Sequence, residues 1–445
     1  MNDAFTPRRD FLKQTGLGLT GLALGSLVSP LPSARAAGAN DRVRVAVIGC
    51  GGQGRGAHIA GLTNIAEEAN VELVAVCDPD AERRAMGSEA GNGAKAMSDF
   101  RQMLDDDSID AVWVATPDHW HVPAAILAMQ AGKHVYVEKP CSHNVREGRA
   151  LVEASKKHNR IVQHGTQMRS NGGFQEAVAM LREGKIGDVM IARVWNIQKR
   201  NDIGHLQPSE PPTHLDYDMW VGPAPMVPYQ ENRSHYNWHW WYNFGTGDAG
   251  NDGVHEFDLA RWGLGVNEHP TTVSAIGGKY FFDDDQQFPD TMTATFEYPS
   301  GEASPPKQLV FEMRLWSTSY PYNVDSGIEF YGTKGKMFIS RRGKLQLWND
   351  RNKSEPIEVS GPLQMNVVNN HKAFLAAIRG EGPQTADAVT AHLSASLCHL
   401  ANISTRVGRT LHFDKTTETI KDDSDANNLL GREYREGHWA IPTTV

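Results

Sequence analysis

The sequence predicts an α/β protein in which a doubly wound parallel sheet is followed by an α+β domain with a large, mainly antiparallel open sheet. Two observations carry this prediction. Up to about residue 165, short apolar runs alternate with helical segments, the pattern of parallel strands joined by crossover helices. Later strand-like runs follow one another without helices between them, which is typical of antiparallel pairing. We expect the first domain over residues 41–165 and the second over residues 166–445.

The composition is that of an ordinary soluble globular protein. The chain has 445 residues, of which 40% are hydrophobic and 22% are charged. Its formal net charge is −9, and it contains no long basic run. Because phosphate backbones are bound by clustered Lys and Arg, this balance argues against a nucleic-acid-binding surface.

The N-terminal residues 1–36 are expected to lie outside the fold. An Arg-Arg pair at 8–9 precedes Phe-Leu-Lys, a moderately apolar stretch covers 15–28, and Ala-Arg-Ala follows at 34–36. This order predicts a twin-arginine export signal and a periplasmic protein that is exported already folded. A disordered basic tail or a membrane anchor is the alternative, although the apolar stretch is short and glycine-rich for a membrane span.

The cysteine pattern indicates neither a disulfide framework nor a metal site. Two of the four cysteines lie at the ends of predicted core strands, and the chain is large enough to fold without disulfide bonds. No CxxC or Cys/His cluster is present, so no metal is expected. The residues expected to be reduced, mostly buried thiols are Cys50, Cys77, Cys141 and Cys398.

A glycine-rich turn follows the first predicted strand, residues 43–48, and fits the pattern GxGxxG. In that pattern the first glycine permits a tight turn, the second lets the backbone approach a pyrophosphate, and the third allows close helix packing. We predict the helix over about residues 58–69. The residues expected to hold the diphosphate are Gly49, Gly51, Gly52, Gln53 and Gly54.

An acidic residue, Asp78, ends the second predicted strand, residues 71–77. An acid at this place can accept hydrogen bonds from the adenosine ribose hydroxyls. Because its charge would repel a 2′-phosphate, NAD is favoured over NADP as the cofactor. A helix cap or a turn residue is the alternative reading of Asp78.

Further polar residues follow the next two predicted strands, 109–116 and 134–137. Ligands of doubly wound sheets bind beyond the carboxyl ends of the strands, so these residues are expected near the cofactor. They are Thr116, Pro117, His119, His121, Glu138 and Lys139.

Taken together, these motifs resemble the Gfo/Idh/MocA oxidoreductases over nearly the whole mature chain. The matching pieces are the glycine turn with its acid, Ala-Thr-Pro at 115–117 with a histidine four residues on, Gly-Lys-His-Val at 132–135, Glu-Lys-Pro at 138–140, and Gly-Asn-Asp-Gly-Val-His at 250–255. The resemblance implies a Rossmann domain that binds NAD, a sugar or polyol substrate, and a homo-oligomer, dimer or tetramer. It also implies that Lys139 lies beside the nicotinamide and that His255 completes the catalytic site.

Elementary chemistry agrees with these two catalytic candidates. Oxidation of a carbinol needs a group that takes the hydroxyl proton, and Lys139 or His255 can relay it. One position departs from the family pattern. Many members carry Asp four residues before the histidine, where this chain has Asn251. We expect Asp252, Asp248 or Glu138 to supply the carboxylate, or the relay to be reduced to the lysine and the histidine.

The second domain carries the expected substrate-binding residues. Its insertion at 205–244 is rich in proline and aromatic residues, whose flat faces suit the C–H faces of sugar rings. A packed loop or an oligomer contact is the alternative reading of this insertion. The residues expected to contact substrate are Gln167 and Arg169 at the hinge, Trp238 and Trp240 in the insertion, and Asn251, Asp252 and His255.

Three functions remain open at this point. The first is an NAD-dependent oxidoreductase with tightly held cofactor, acting on a sugar, polyol or glycoside hydroxyl. The second is an NAD-dependent glycoside hydrolase or lyase that oxidises its substrate transiently and eliminates the glycosidic group. The third is a carbohydrate-binding protein that has kept only the fold, since fold alone does not decide function.

Overall fold

The computed structural model describes residues 42–300 and 305–436. The predicted export signal and the last residues of the chain lie outside these ranges. Among the described residues, no helix is both long and apolar enough to cross a membrane.

The described chain forms two sheets. The strands of the first are β1 (Val43–Ile48), β2 (Val71–Cys77), β3 (Lys95–Met97), β4 (Ala111–Val114), β5 (His134–Val137) and β6 (Val162–His164). The strands of the second are β7 (Val189–Asn196), β8 (Thr272–Gly278), β9 (Thr291–Tyr298), β10 (Lys307–Arg314), β11 (Ser326–Gly332), β12 (Gly335–Ser340), β13 (Lys344–Asn349), β14 (Ser354–Glu355), β15 (Leu411–Asp414) and β16 (Thr419–Ile420).

Helices cover the first sheet and one face of the second. They are α1 (Ala60–Asn64), α2 (Ala81–Ala90), α3 (Arg101–Leu104), α4 (Asp118–Gln130), α5 (Val145–His158), α6 (Gly172–Arg182), α7 (Tyr217–Val221), α8 (Gly247–Asn251), α9 (Gly253–Leu264), α10 (Val367–Arg379), α11 (Ala388–Val407) and α12 (Ser424–Asn428).

The first sheet is parallel throughout and has the strand order β3-β2-β1-β4-β5-β6. The order reverses at β1, so the carboxyl ends of β1 and β4 open a crevice in which ligands of such sheets bind. Every residue of β4 is buried, as expected for a strand covered by helices on both faces.

The second sheet has the order β14-β13-β12-β11-β7-β10-β9-β8-β15-β16. Its pairs are antiparallel except for β10 with β7, which run parallel. Helices α9 and α11 bury apolar side chains against one face of the sheet, including Phe257 and Leu400. The predicted fold class is confirmed.

The second half of the chain also contributes to the first sheet. Helix α10 places Phe374 in the same core as Val45 of β1, and its ring lies 5.1 Å from that of Trp113 on β4. An apolar helix face stabilises a fold mainly through such tertiary packing. The core of the nucleotide-binding sheet is therefore completed by a helix that lies some 200 residues further along the chain.

The aromatic insertion, residues 205–244, has an apolar core of its own. That core includes Leu215, Trp220, Tyr229 and Phe244. The residues that follow α12, 429–436, lie across this insertion and are called here the C-terminal strap. Its Arg435 donates its backbone N–H to the carbonyl of Pro223 at 3.0 Å.

The four cysteines are buried free thiols. This agrees with the expectation from the sequence. Burial raises the pKa of the Cys50 and Cys141 thiols, which keeps both protonated and unreactive near neutral pH.

Removal of the Phe374 ring tests the contribution of α10 to the first sheet. Phe374 is fully buried, so we expect Phe374→Ala to lower the free energy of unfolding by about 3–5 kcal/mol. Urea denaturation followed by tryptophan fluorescence measures the change. The control is Met226→Ala, which removes an exposed side chain and should change stability by about 0.5 kcal/mol or less. Equal effects of the two substitutions would contradict the role given to α10.

Candidate functional site

A cavity of about 470 Å³ lies at the carboxyl edge of the first sheet, between that edge and the aromatic insertion. Its volume is in the range of small-molecule and cofactor sites. The predicted residues on its wall are Gly49, Gly51, Gly52, Gln53, Asp78, Thr116, Pro117, His121, Glu138, Lys139, Trp238, Asn251 and Asp252. The insertion adds five further residues to this wall: Met219, Trp220, His235, Tyr236 and His239. Trp220 and Tyr236 belong to the aromatic pattern expected to suit sugar rings, whereas the other three were not predicted.

The glycine turn packs as its motif requires. Gly49 has a φ of 99°, and a Cβ there would lie 2.4 Å from the carbonyl oxygen of Ala115. A Cβ on Gly54 would lie 1.8 Å from the carbonyl oxygen of Gly49, so this residue lies behind the turn and off the cavity wall. At Gly52, by contrast, a Cβ would meet nothing within 4 Å. The open side of the turn faces the cavity and leaves room for a diphosphate.

The helix after this turn begins earlier than predicted. Helical structure starts at Gly52, passes through a π-helical segment Gly54–Ile59, and ends with α1. The predicted range of 58–69 was wrong. It began too late because glycine has a low helix propensity, which argued against a helix in the glycine-rich segment. Tertiary packing of the turn against β4 overrides that propensity and directs the helix N-terminus at the cavity.

Asp78 is fixed at the end of β2. Its Oδ2 accepts the N–H of Cys50 at 2.8 Å, and its Oδ1 accepts the N–H of Asp80 at 2.9 Å. Burial raises the pKa of this carboxyl, and the two hydrogen bonds oppose that rise. A carboxylate oxygen accepts more than one hydrogen bond, so Asp78 can still receive a ribose hydroxyl from the cavity. The turn and this acid therefore fit the adenosine end of a dinucleotide.

Lys139, at the opposite end of the cavity, is held by the second domain. Its Nζ donates to the backbone oxygen of Asn251 at 2.6 Å and to the side-chain Oδ1 at 3.1 Å. The amide nitrogen of Asn251 in turn donates to Asp248 at 3.0 Å and to the Tyr236 hydroxyl at 3.2 Å. The asparagine found in place of the family's aspartate thus accepts from the lysine without carrying a charge.

Glu138 lies beneath the lysine as an anchored carboxylate. Its Oε1 lies 2.9 Å from Nε2 of His58 and accepts from Nε2 of Gln53 at 2.9 Å. Burial opposes ionisation, but these hydrogen bonds and the nearby charge of Lys139 hold the pKa of Glu138 well below its usual range. His58 also lies 2.9 Å from a nitrogen of His371. This histidine pair could not be predicted from a sequence motif because its members are 313 residues apart.

The other two carboxylates considered at this site are also paired. Asp252 contacts Arg200 and pairs with Arg341 at 3.0 Å, while Asp248 pairs with Arg200 at 2.8 Å. Burial disfavours the Asp252 charge, yet Arg341, Arg200 and Lys139 outweigh it and hold the Asp252 pKa far below its usual value. Asp252 is therefore an ionised hydrogen-bond acceptor on the cavity wall.

His255 lies in α9, four residues after Asn251, but its side chain is not on the cavity wall. It is 3% exposed, and its Nδ1 has no hydrogen-bond partner within the part of the chain that the structure describes. Burial, with the charges of Arg341 and Lys139, lowers the His255 pKa to about 3. The imidazole is therefore neutral.

Four further predicted residues lie off the cavity wall. His119 is buried between the rings of Trp220 and Phe244 and contacts the Trp220 carbonyl at 3.1 Å. Arg169 pairs with Asp258 at 2.7 Å, and Gln167 reaches Glu138 at 3.5 Å. Trp240 is also buried. These side chains support the wall from behind.

One cluster away from the cavity has the geometry of a metal site. His269, His392 and Glu418 place their ligand atoms within 4.8 Å of one another. Each imidazole Nε2 lies 3.0 Å from the same Glu418 oxygen, and Arg149 pairs with this carboxylate. The guanidinium of Arg149 beside this carboxylate balances its charge, so the cluster is described here as an ion-paired group.

The family follows from two matches. The model of the oxidoreductase family, NAD-binding Rossmann fold, matches residues 43–166. The model of the oxidoreductase family, C-terminal alpha/beta domain, matches residues 192–298 and 329–441. This chain belongs to the Gfo/Idh/MocA oxidoreductase family. Because the matching N-terminal domain of this family is an NAD-binding Rossmann fold, the prediction of NAD as the cofactor is confirmed.

The curated relatives match part of their length. An uncharacterized oxidoreductase of Streptococcus pneumoniae is 25% identical over 62% of this chain and 64% of its own length. A glycosyl hydrolase family 109 protein of Saccharopolyspora erythraea is 35% identical over 39% of this chain and 41% of its own. Inositol 2-dehydrogenase 3 of Saccharopolyspora erythraea is 36% identical over 34% of this chain and 44% of its own. The chain thus spans less than two thirds of the length of each of these relatives.

Solved structures share the whole fold at low sequence identity. A levoglucosan dehydrogenase in complex with NADH and levoglucosan has a TM-score of 0.65 at 20% identity, covering 83% of this chain and 99% of its own. The WlbA dehydrogenase from Bordetella pertussis, in complex with NADH and UDP-GlcNAcA, has a TM-score of 0.63 at 21% identity, covering 84% and 99%.

Substitution of Asp78 tests the assignment of the adenosine end. We expect Asp78→Ala to weaken NAD binding and to narrow its advantage over NADP, because an acceptor and a repulsive charge are both removed. Calorimetric titration with NAD and with NADP, after removal of copurified dinucleotide, measures both affinities. Asp78→Asn removes the charge but keeps the size of the side chain and one acceptor oxygen, so it separates the effect of the charge from the loss of the side chain. An unchanged affinity ratio in both variants would place the ribose elsewhere.

Proposed function

We propose that this protein is an NAD-dependent oxidoreductase that acts on a hydroxyl of a sugar, polyol or glycoside and keeps its NAD bound through turnover. The observation that carries the proposal is a single cavity with the glycine turn and Asp78 at one end and Lys139 at the other. In this proposal the adenosine of the dinucleotide lies beside the acid, and its nicotinamide end lies towards the lysine.

The wall near Lys139 suits a ring that carries several hydroxyl groups. Trp238 and Tyr236 offer flat apolar faces, and Asp252 and Asn251 offer polar atoms. Relatives named inositol 2-dehydrogenase and levoglucosan dehydrogenase support a polyhydroxylated ring as the substrate class.

The side chains divide the work of oxidation between them. When bound, NAD supplies the hydride acceptor. Lys139 Nζ donates hydrogen bonds to two oxygens of Asn251. Its positive charge can also stabilise the negative charge that develops on the substrate oxygen. Asp252 stays ionised and can orient a neighbouring hydroxyl.

The aromatic insertion supports retention of the cofactor because it covers the adenosine end of the cavity. Both oxygens of the Asp80 carboxylate contact the insertion, one at 3.2 Å from His214 and the other at 3.2 Å from His235. The backbone joins as well, since Ala81 donates to the carbonyl of His214 at 2.9 Å and Asp216 donates to that of Pro79 at 3.1 Å. A dinucleotide in this cavity leaves only when these contacts open.

The C-terminal strap holds this cover down. Arg432 pairs with Glu147 of α5 at 2.6 Å and donates to the carbonyl of His119 at 2.6 Å. Three residues later, Arg435 pairs with Asp218 of the insertion. The strap therefore ties the cover to the helices of the first domain.

A retained cofactor agrees with export by the twin-arginine route to the periplasm. That route carries folded proteins, so NAD bound in the cytoplasm can travel with the enzyme. Because bound NAD does not exchange with a soluble pool, the cycle must regenerate it on the enzyme. Either a second substrate takes the hydride, or the hydride returns to the same sugar.

The second candidate function is an NAD-dependent glycoside hydrolase or lyase. Cofactor retention favours it, and one relative is a glycosyl hydrolase family 109 protein. A hydroxyl is oxidised to a ketone, the acidified neighbouring C–H loses its proton, and the glycosidic group leaves. Addition of water and return of the hydride then restore NAD, so the sum is hydrolysis without net redox change. A purely carbohydrate-binding protein is disfavoured by the ordered Lys139.

A second copy of the chain is the partner we propose. Ile276 on β8 is exposed, and so are Tyr280 and Phe281 in the loop that follows this strand. Contiguous exposed apolar groups mark interaction surfaces, which supports the homo-oligomer expected from the family resemblance.

Lys139→Ala tests the reaction. We expect this variant to keep bound NAD and to lose all measurable turnover, because the donor beside the reacting hydroxyl is gone. The assay uses myo-inositol, levoglucosan and p-nitrophenyl glycosides, and follows bound NADH by absorbance and released nitrophenol. NADH formation supports the oxidoreductase, while nitrophenol release without net reduction supports the hydrolase. The control is Lys372→Ala at an exposed lysine paired with Glu68, which should change neither.

Release of the cofactor tests the cover. Protein isolated from periplasm and denatured should release NAD, measured by absorbance and mass. The paired substitution His214→Ala and His235→Ala should speed NAD loss from the native protein about tenfold, equivalent to about 1.4 kcal/mol. His205→Ala, which removes an insertion histidine paired with Asp285 away from the cavity wall, is the control. Empty protein with fast exchange in the wild type would contradict retention.

A further inference from the structure

An insertion histidine, His239, lies on the cavity wall together with Lys139. The sequence drew attention to the tryptophans on either side of it, Trp238 and Trp240, and not to the histidine itself. Of these three neighbours, Trp240 is buried off the wall, while Trp238 and His239 are both on it.

The tautomer of His239 is fixed by its own turn. Its Nδ1 donates to the backbone oxygen of Tyr236, so Nε2 carries the lone pair. The imidazole stacks on Trp238 with 3.6 Å between ring centroids and an angle of 21°. The backbone is equally confined, since a Cβ on Gly245 would lie 2.4 Å from the carbonyl oxygen of His239. A neutral acceptor atom is thus held in place on the wall.

The groups that face His239 keep it uncharged. Burial and the charge of Lys139 hold its pKa well below the usual range, and Arg200 adds to this effect. The Tyr236 backbone oxygen and the Asp252 carboxylate act in the opposite direction and are outweighed. The imidazole is therefore available as an acceptor throughout the neutral pH range.

Glu138, Asp252 and His255 are poorly placed to accept the substrate's proton. The lysine amine already donates to two oxygens of Asn251. Glu138 is occupied by His58 and Gln53, and Asp252 is held between two arginines. The predicted acceptor, His255, does not reach the cavity wall.

We propose that His239, through Nε2, takes the hydroxyl proton of the substrate. This inference rests on the proposed function. The substrate O–H bond breaks and its proton forms an N–H bond on Nε2, while the oxygen electron pair completes the C=O bond. The hydrogen on the carbinol carbon leaves as hydride to NAD, the oxidant. The substrate thus loses two electrons with the hydride, which NAD takes up, and one proton, which His239 takes up.

Chemical labelling tests the acceptor without any turnover. Diethyl pyrocarbonate modifies neutral, accessible imidazoles, and peptide mass mapping of the holoprotein locates the label. We expect the label on His239 and on the exposed His205, which is the positive control, and none on His255. Added levoglucosan should reduce labelling of His239 but not of His205. Labelling of His205 and His255 with His239 unmodified would overturn the proposal.

Two matched variants test its role in the reaction. We expect His239→Gln to lower kcat by about 10²–10⁴ with bound NAD unchanged, and His255→Gln to lower it less than about tenfold. Because protonation removes the acceptor only below its depressed pKa, wild-type kcat should stay level as pH falls through about 6.5, the ordinary histidine value. A large loss only in His255→Gln, or in neither variant, overturns the proposal. Wild-type protein inactive on every sugar overturns the proposed function instead, and the labelling pattern then decides on His239.

Discussion

The hydrogen bonds from Lys139 to Asn251 join the two halves of the molecule at the point where chemistry is expected. The lysine lies two residues beyond the end of β5, and the asparagine ends α8 of the second domain. Without this contact the cavity would have a nucleotide-binding wall and no fixed position for the substrate. A neutral amide suits the role, because an aspartate at this place would lie near the ionised Asp252 and against the Asp248 carboxyl group.

Burial of charge governs the rest of the site. Three buried carboxylates have a cation or a histidine beside them: Glu138 has His58, Asp248 has Arg200, and Asp252 has two arginines. An unpaired buried charge costs several kcal/mol, so such pairing is a condition for the fold to close around the cavity. Its consequence is chemical, since paired carboxylates are poor bases and burial keeps the imidazoles of His239 and His255 neutral.

The aromatic insertion turns an open crevice into an enclosed site. Doubly wound sheets bind ligands at an exposed edge, where a cofactor can enter and leave. Here a module with its own apolar core crosses that edge, contacts Asp80 at one end and brings Trp238 and His239 to the other. The cover and the proposed catalytic wall belong to one segment, so the proposed retention of NAD and recognition of substrate depend on the same part of the chain.

The sequence by itself determined the fold class, the glycine turn, Asp78 and the Glu138–Lys139 pair, because these depend on local periodicity and on spacing within one strand or turn. Only the tertiary structure decided that His58 and His371 brace Glu138, that His119 and Trp240 lie off the wall, and that His239 lies on it. The start of helical structure at Gly52, earlier than predicted, was also decided by the tertiary structure, because packing against β4 outweighed the low helix propensity of the glycines. The physical reason is common to all of them. Contacts between segments far apart in the chain form only when helices and loops pack, and the local sequence of one segment does not specify which distant residues it will contact.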